Sequence, residues 1–172
     1  LDPFIEAGKE LEMEGVRAIT TSCGFLAMFQ TEMAKALNVP TFTSSLLQVP
    51  MVQRMLSPNQ KVGVVTANKP ALQEKHLRSV GIEDADALVI EGMQNEPAWK
   101  KWKEHTSGDL LSLRAEVEEA VVNVSSRMVQ KNPEVGAIVF ECTNLPPFAE
   151  AVRESTGKPV FDIVTLTKYV HS

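Results

Sequence analysis

VRAITTSCGFLAMFQTEMAKALNVPTF, residues 16–42, and VGAIVFECTNLPPFAEAVRESTGKPVF, residues 135–161, are two copies of one pattern. They align without a gap at a constant offset of 119, and eight of 27 positions are identical: Val16/Val135, Ala18/Ala137, Ile19/Ile138, Cys23/Cys142, Leu26/Leu145, Phe29/Phe148, Pro40/Pro159 and Phe42/Phe161. That is several times what unrelated segments of this composition share. Asn38 pairs with Gly157, the two residue types best able to take the left-handed conformation that stops a helix. Each copy reads as strand, cysteine, helix, left-handed stop, proline, strand. The chain carries an internal duplication.

Outside the copies the same alternation continues. Apolar runs bounded by turn residues fall at 16–20, 39–43, 62–66, 87–91, 137–140 and 160–164. Helical spacing falls at 25–37, 46–56, 71–80, 110–130 and 148–154. The runs are continuous and β-branched, which suits parallel strands buried on both faces. Strands alternating with helices over short connections predict βαβ units. The expected fold is α/β: two pseudo-symmetric, Rossmann-like three-layer α/β/α subdomains with mostly parallel sheets, at residues 1–58 and 59–172. The end of the chain is free to pack back on the first. Leu1 opens inside a helical pattern in which Phe4, Ile5, Ala7, Leu11 and Val16 share a face and Gly15 ends the helix. An α/β unit opening on a helix implies that its first strand precedes this sequence.

Composition narrows the function. The chain has 172 residues, 44% hydrophobic and 23% charged, enough apolar surface for a sizeable core. A net charge of −5 argues against nucleic-acid and anionic-membrane partners, which require a basic surface. No apolar run reaches the roughly 20 residues that span a bilayer. Two cysteines and three scattered histidines make neither a disulfide framework nor a metal signature. A cytoplasmic protein is expected. The polar stretch at 94–109, with Pro97, Trp99 and Trp102, predicts a partly solvated helix starting at Pro97.

The repeat gives both cysteines an address. Each follows the last apolar residue of a strand, at the carboxyl edge where open parallel sheets bind ligands. A thiol there faces the positive end of a helix dipole, which favours the thiolate. Two related halves would bring Cys23 and Cys142 to a common cleft. Opposed acid/base groups can remove a proton from one face of a carbon and return one to the other. Developing carboxylate charge needs donors, for which Thr143, Asn144 and the N–H groups near Gly24 and Phe25 qualify. Thr66 and Asn68 end another strand, KVGVVTAN, and are expected at the same edge.

TTSCGFL around Cys23 and ECTNLPP around Cys142 resemble the two cysteine motifs of the aspartate/glutamate/hydantoin racemase superfamily. The likeness extends through FIEAGKELEMEGVRAITTSCGFL, VPTFTSSLLQVPMVQRML, KVGVVTAN and VFDIVTLTKYVH. It implies a racemase or epimerase working without pyridoxal phosphate or any other cofactor. Cys23 and Cys142 would be its proton carriers, and Thr143 and Asn144 would contact the carboxylate of a small substrate. It implies that Thr66 is a substrate-binding threonine, and that the protein forms a homodimer or higher homo-oligomer. Maleate isomerase and arylmalonate decarboxylase resemble the same superfamily and define a second reading. A non-catalytic carboxylate binder is a third, and a Cys23–Cys142 redox switch is a minor one.

Two departures bear on the substrate. Where amino-acid racemases of the family carry Asn-Thr after the first cysteine, this chain has Gly24-Phe25. No histidine adjoins either cysteine, and Glu141 precedes the second; strand alternation directs its side chain away from that of Cys142. His76 reads as a solvated residue on a polar helix, His105 falls in the polar stretch, and His171 carries no assignment. Met13, Met28, Met33, Met51, Met55 and Met128 are expected largely as core fillers.

Overall fold

The computed structural model describes residues 1–104 and 110–172, so His105 lies outside the described residues. The strands are β1 (Ile19–Thr20), β2 (Thr41–Phe42), β3 (Lys61–Thr66), β4 (Leu88–Gly92), β5 (Val135–Phe140) and β6 (Val160–Phe161). The α-helices are α1 (Asp2–Met13), α2 (Gln30–Ala36), α3 (Val49–Met55), α4 (Glu74–Arg78), α5 (Pro97–Glu104), α6 (Leu110–Lys131), α7 (Ala149–Thr156) and α8 (Ile163–His171). Described strand pairings are all parallel: β1 with β2 in one sheet, and β4-β3-β5-β6 in the other. This is the α/β architecture that the alternation of apolar runs and helices predicts.

The duplication holds at the level of hydrogen bonds. Ile19 lies opposite Thr41 as Ile138 lies opposite Val160, at the same offset of 119. The Ile19 N–H donates to the Pro40 carbonyl at 2.9 Å, and Ile138 to Pro159 also at 2.9 Å. After each cysteine the chain makes the same turn: Leu26 N–H to the Cys23 carbonyl at 3.0 Å, and Leu145 to Cys142 at 3.1 Å. The helix stops differ. Gly157 ends α7 at φ +64°, a left-handed conformation that glycine adopts without steric cost. By contrast α2 ends on an extended Leu37, and the Glu12 carboxylate of α1 accepts from the N–H groups of Asn38 and Val39. A side chain from another element thus takes the two N–H groups that a left-handed stop would return to the helix carbonyls.

The four-stranded sheet is covered on both faces. Ile138 and Phe140 of β5 pack with α6 and α7 through Val117, Val121, Val124 and Val152. The alternate residues Ala137 and Val139 pack with Val49, Val52 and Leu77 from α3 and α4. Burial of these apolar groups is the main term holding the layers together, at about 25 cal/mol per Å² removed from water. Ile19, Met33 and Leu37 form a smaller cluster around β1. Some apolar positions stay outside. Phe4 and Leu11 on α1 are 41% and 39% exposed, and Met13, Met51 and Met55 are exposed while Met33 and Met128 are buried. The helical spacing of those three methionines places them on solvent faces, so the expectation of core filling fails for them.

The apolar run at 160–164 is divided rather than continuous. Asp162 stops β6 and starts α8 with a reciprocal cap: Thr165 N–H donates to Asp162 Oδ1 and Asp162 N–H to Thr165 Oγ1, both at 2.8 Å. The Asp162 carbonyl accepts from Gln48 Nε2 at 2.9 Å, tying α8 to the segment before α3. Asp162→Ala should therefore cost about 1–2 kcal/mol of stability, measured by denaturant unfolding. An unchanged unfolding midpoint would show that the cap is not needed.

Candidate active site

The carboxyl ends of the parallel strands form the floor of a cleft of about 180 Å³. Its lining includes Cys23, Gly24 and Phe25 from the turn after β1, and Glu141, Cys142, Thr143 and Asn144 from the turn after β5. Trp99 and Lys103 of α5 complete one wall. The duplicated turns thus meet, as the repeat predicts. A larger hollow of about 370 Å³, lined by Arg17, Thr20, Phe42, Thr167 and His171, contains neither thiol.

The two cysteines are free and unequal. Cys23 is exposed, whereas Cys142 is partly buried and packs against the core beside α5 and α6. Burial pushes the Cys142 thiol up to about 12, opposed by the Asn144 backbone N–H and reinforced by the charges of Glu141 and Cys23. At neutral pH Cys142 is a thiol.

Glu141 is the residue that strand alternation misplaces. β5 ends at Phe140, so Glu141 belongs to the turn, where side chains no longer alternate. It lines the cleft at 1% exposure. Its Oε2 accepts from Thr66 Oγ1 at 2.7 Å, while Oε1 is buried with no partner among the described residues. Burial pushes this carboxyl up to about 7, held back by the Thr66 hydroxyl and the Ala67 backbone N–H. Gly24 makes the packing feasible. A Cβ on it would sit 2.1 Å from the Glu141 carbonyl oxygen and 2.3 Å from Oε1, so any other residue would displace one of the two turns.

Other expected site residues take different places. Thr66 is fully buried and reaches the cleft only through Glu141, and Asn68 is not in the lining. Thr143 Oγ1 donates to the Ser22 carbonyl at 2.6 Å and so clasps the two turns, its proton already committed. Asn144 is exposed at the rim. His76 is 5% exposed, not solvated: its Nδ1 caps α4 with Gln73, and its ring meets Phe25 edge-on at 5.6 Å. Burial lowers its pKa, favouring the neutral ring. Trp99 and Lys103 gave no functional signal beyond lying in a polar stretch. Glu141 offered one, since its counterpart in the repeat is the small Ser22.

A parallel α/β protein with a thiol from each of two duplicated turns in one cleft defines a class of cysteine-bearing sheet-edge proteins. The Asp/Glu/Hydantoin racemase family matches over residues 2–167, and the chain belongs to that family. The chain is 31% identical over 166 residues to dimethylsulfoniopropionate lyase 7 of Emiliania huxleyi (strain CCMP1516), covering 94% of this chain and 49% of that one. It spans about half the length of the curated relatives it matches. The allantoin racemase from Klebsiella pneumoniae shares the fold, with TM-score 0.66 and 15% identity over 98% of this chain and 63% of that one. Unliganded arylmalonate decarboxylase does so at TM-score 0.56 and 16% identity, covering 92% and 68%. No helix among the described residues is long and apolar enough to cross a membrane.

The unequal thiols predict unequal labelling. With iodoacetamide at pH 8, Cys23 should be alkylated first, because the thiolate is the nucleophile and Cys142 holds its proton. Cys142 labelling should accelerate about tenfold per pH unit up to pH 10. Mass spectrometry of the tryptic peptides reads both, and faster labelling of Cys142 at pH 8 would contradict the burial argument.

Proposed function

We propose that the cleft removes the proton from the carbon next to the carboxylate of a small substrate, and that a group then leaves the neighbouring carbon. The reaction is a β-elimination of the kind denoted by the name of the dimethylsulfoniopropionate lyase relatives. The observation that carries this reading is the inequality of the two thiols. Racemisation requires two acid/base groups that exchange roles, whereas elimination requires one base on one face. A buried Cys142 that keeps its proton fits the second requirement better than the first.

In this mechanism Cys23 is the base. Its thiolate takes the α-proton, the C–H electron pair becomes the new carbon–carbon double bond, and the bond to the leaving group breaks with its electrons. A sulfonium group would depart as a neutral sulfide, leaving an unsaturated carboxylate, and Cys23 returns its proton to water. Charge builds on the substrate carboxylate as the proton leaves. Asn144 and the Lys103 ammonium at the rim are the donors placed to meet it, and Cys142 supplies an S–H from within. Thr143, whose hydroxyl is already engaged, positions the turns.

The second reading is the two-cysteine racemase or epimerase, and the repeat favours it. Both thiols stand at equivalent positions with the same turn geometry. Proton NMR in D₂O separates the two, using dimethylsulfoniopropionate beside a panel of amino acids, hydantoins and 2-substituted malonates. The expected outcome is sulfide and olefin signals with the sulfonium acid, lost by about 10²–10⁴-fold in Cys23→Ser and by less in Cys142→Ser. Exchange with loss of optical purity on an amino acid or hydantoin, abolished by either substitution, would establish the racemase instead. Decarboxylation of a malonate would favour the decarboxylase branch, and saturable binding without turnover a carboxylate binder.

A further inference from the structure

We propose that Glu141 determines specificity in this cleft by receiving the positive end of a zwitterionic substrate, an alkylated onium group such as a sulfonium or quaternary ammonium. The inference rests on the cleft being the substrate site, as proposed above. Four observations carry it.

The Glu141 carboxyl is almost wholly buried yet forms part of the cleft wall. One oxygen is satisfied by Thr66, and the other has no partner among the described residues. A buried carboxylate without a counter-charge is costly, and a cation entering the cleft would offset that cost. The Gly24 backbone packs against Oε1 without offering it a hydrogen bond, so that oxygen stays unpaired beside the cleft.

Charge is graded with depth. Lys103 is exposed at the rim, and Glu141 lies below it. A zwitterion fits one way round, with its carboxylate toward Lys103 and Asn144 and its cation toward Glu141. Phe25 and Trp99 supply the remaining large side chains of the lining, which suit a cation carrying methyl groups rather than N–H donors. An onium group satisfies a lone carboxylate oxygen by charge alone, with no donor geometry to meet.

The carboxyl's upward shift to about 7 adds a signature. Its ionised form is the cation receptor, so affinity for a cation should rise with pH through that region. The other titratable groups lining the cleft are Cys23, Cys142 and Lys103.

The test is a pair of isosteric ligands, 3-(trimethylammonio)propionate and 4,4-dimethylpentanoate, which differ in a nitrogen cation against a neutral carbon. Calorimetry at pH 8 should show the cationic ligand binding about tenfold or more tightly to the wild type. Glu141→Gln, which keeps a partner for Thr66, should abolish that preference without weakening the neutral ligand. In the wild type alone the preference should shrink from pH 8 to pH 6, which answers the question even where the variant does not fold. Cys23→Ser should show the same profile, which removes the thiol from the comparison and prevents turnover. Equal affinities in the wild type, or a preference that survives in Glu141→Gln, would overturn the assignment. Failure of the elimination reading is seen separately, as absence of sulfide release from a protein that still discriminates between the two ligands.

Discussion

The parallel pairing of β3 with β5 is the constraint on which the site depends. Its register sets Val65 beside Phe140, so that the Glu141 N–H still bonds to the Val65 carbonyl at 2.9 Å after the strand has ended. That bond holds the first residue of the turn against the sheet and leaves its carboxyl beneath the cleft, within reach of the Thr66 hydroxyl. Ser45, fully buried, donates to the Phe140 carbonyl at 2.5 Å and fixes the same strand end from the other side. Cys142 follows directly, so the second thiol inherits its position from a sheet edge with little freedom.

The first thiol is held by closure between the two turns. Thr143 donates to the Ser22 carbonyl, and the bare Gly24 rests against Glu141. Both contacts join one copy of the repeat to the other. Identical turn hydrogen bonds after Cys23 and Cys142 show that the duplicated backbone is retained, while the surroundings have diverged. One thiol is exposed, the other pressed against the core with a buried carboxyl beside it. Symmetry of backbone with asymmetry of environment gives two thiols at equivalent positions different surroundings.

Much of this was legible in the residues. The gapless repeat located both cysteines, and their turns do meet in one cleft. The continuous β-branched runs marked all six strands of the described chain, and Gly157 marked the end of α7. What was not legible had a common cause, namely contact with an element distant in sequence. The N–H groups that follow α2 bond to Glu12 on α1; His76 is buried by packing that includes Phe25; Thr66 spends its hydroxyl on Glu141 instead of facing the cleft. Helical periodicity misjudged Met13, Met51 and Met55 because spacing defines a face without saying what covers it.

The sequence by itself determined the alternation, the duplication and the address of each thiol, because these are set by local backbone preferences and by the two-residue and 3.6-residue periods of side chains. Only the tertiary structure decided that Cys142 is buried and keeps its proton, that Glu141 turns into the cleft, and that Trp99 and Lys103 form its wall. Those outcomes depend on desolvation and on contacts across the fold, and neither is written in the spacing of residues along the chain.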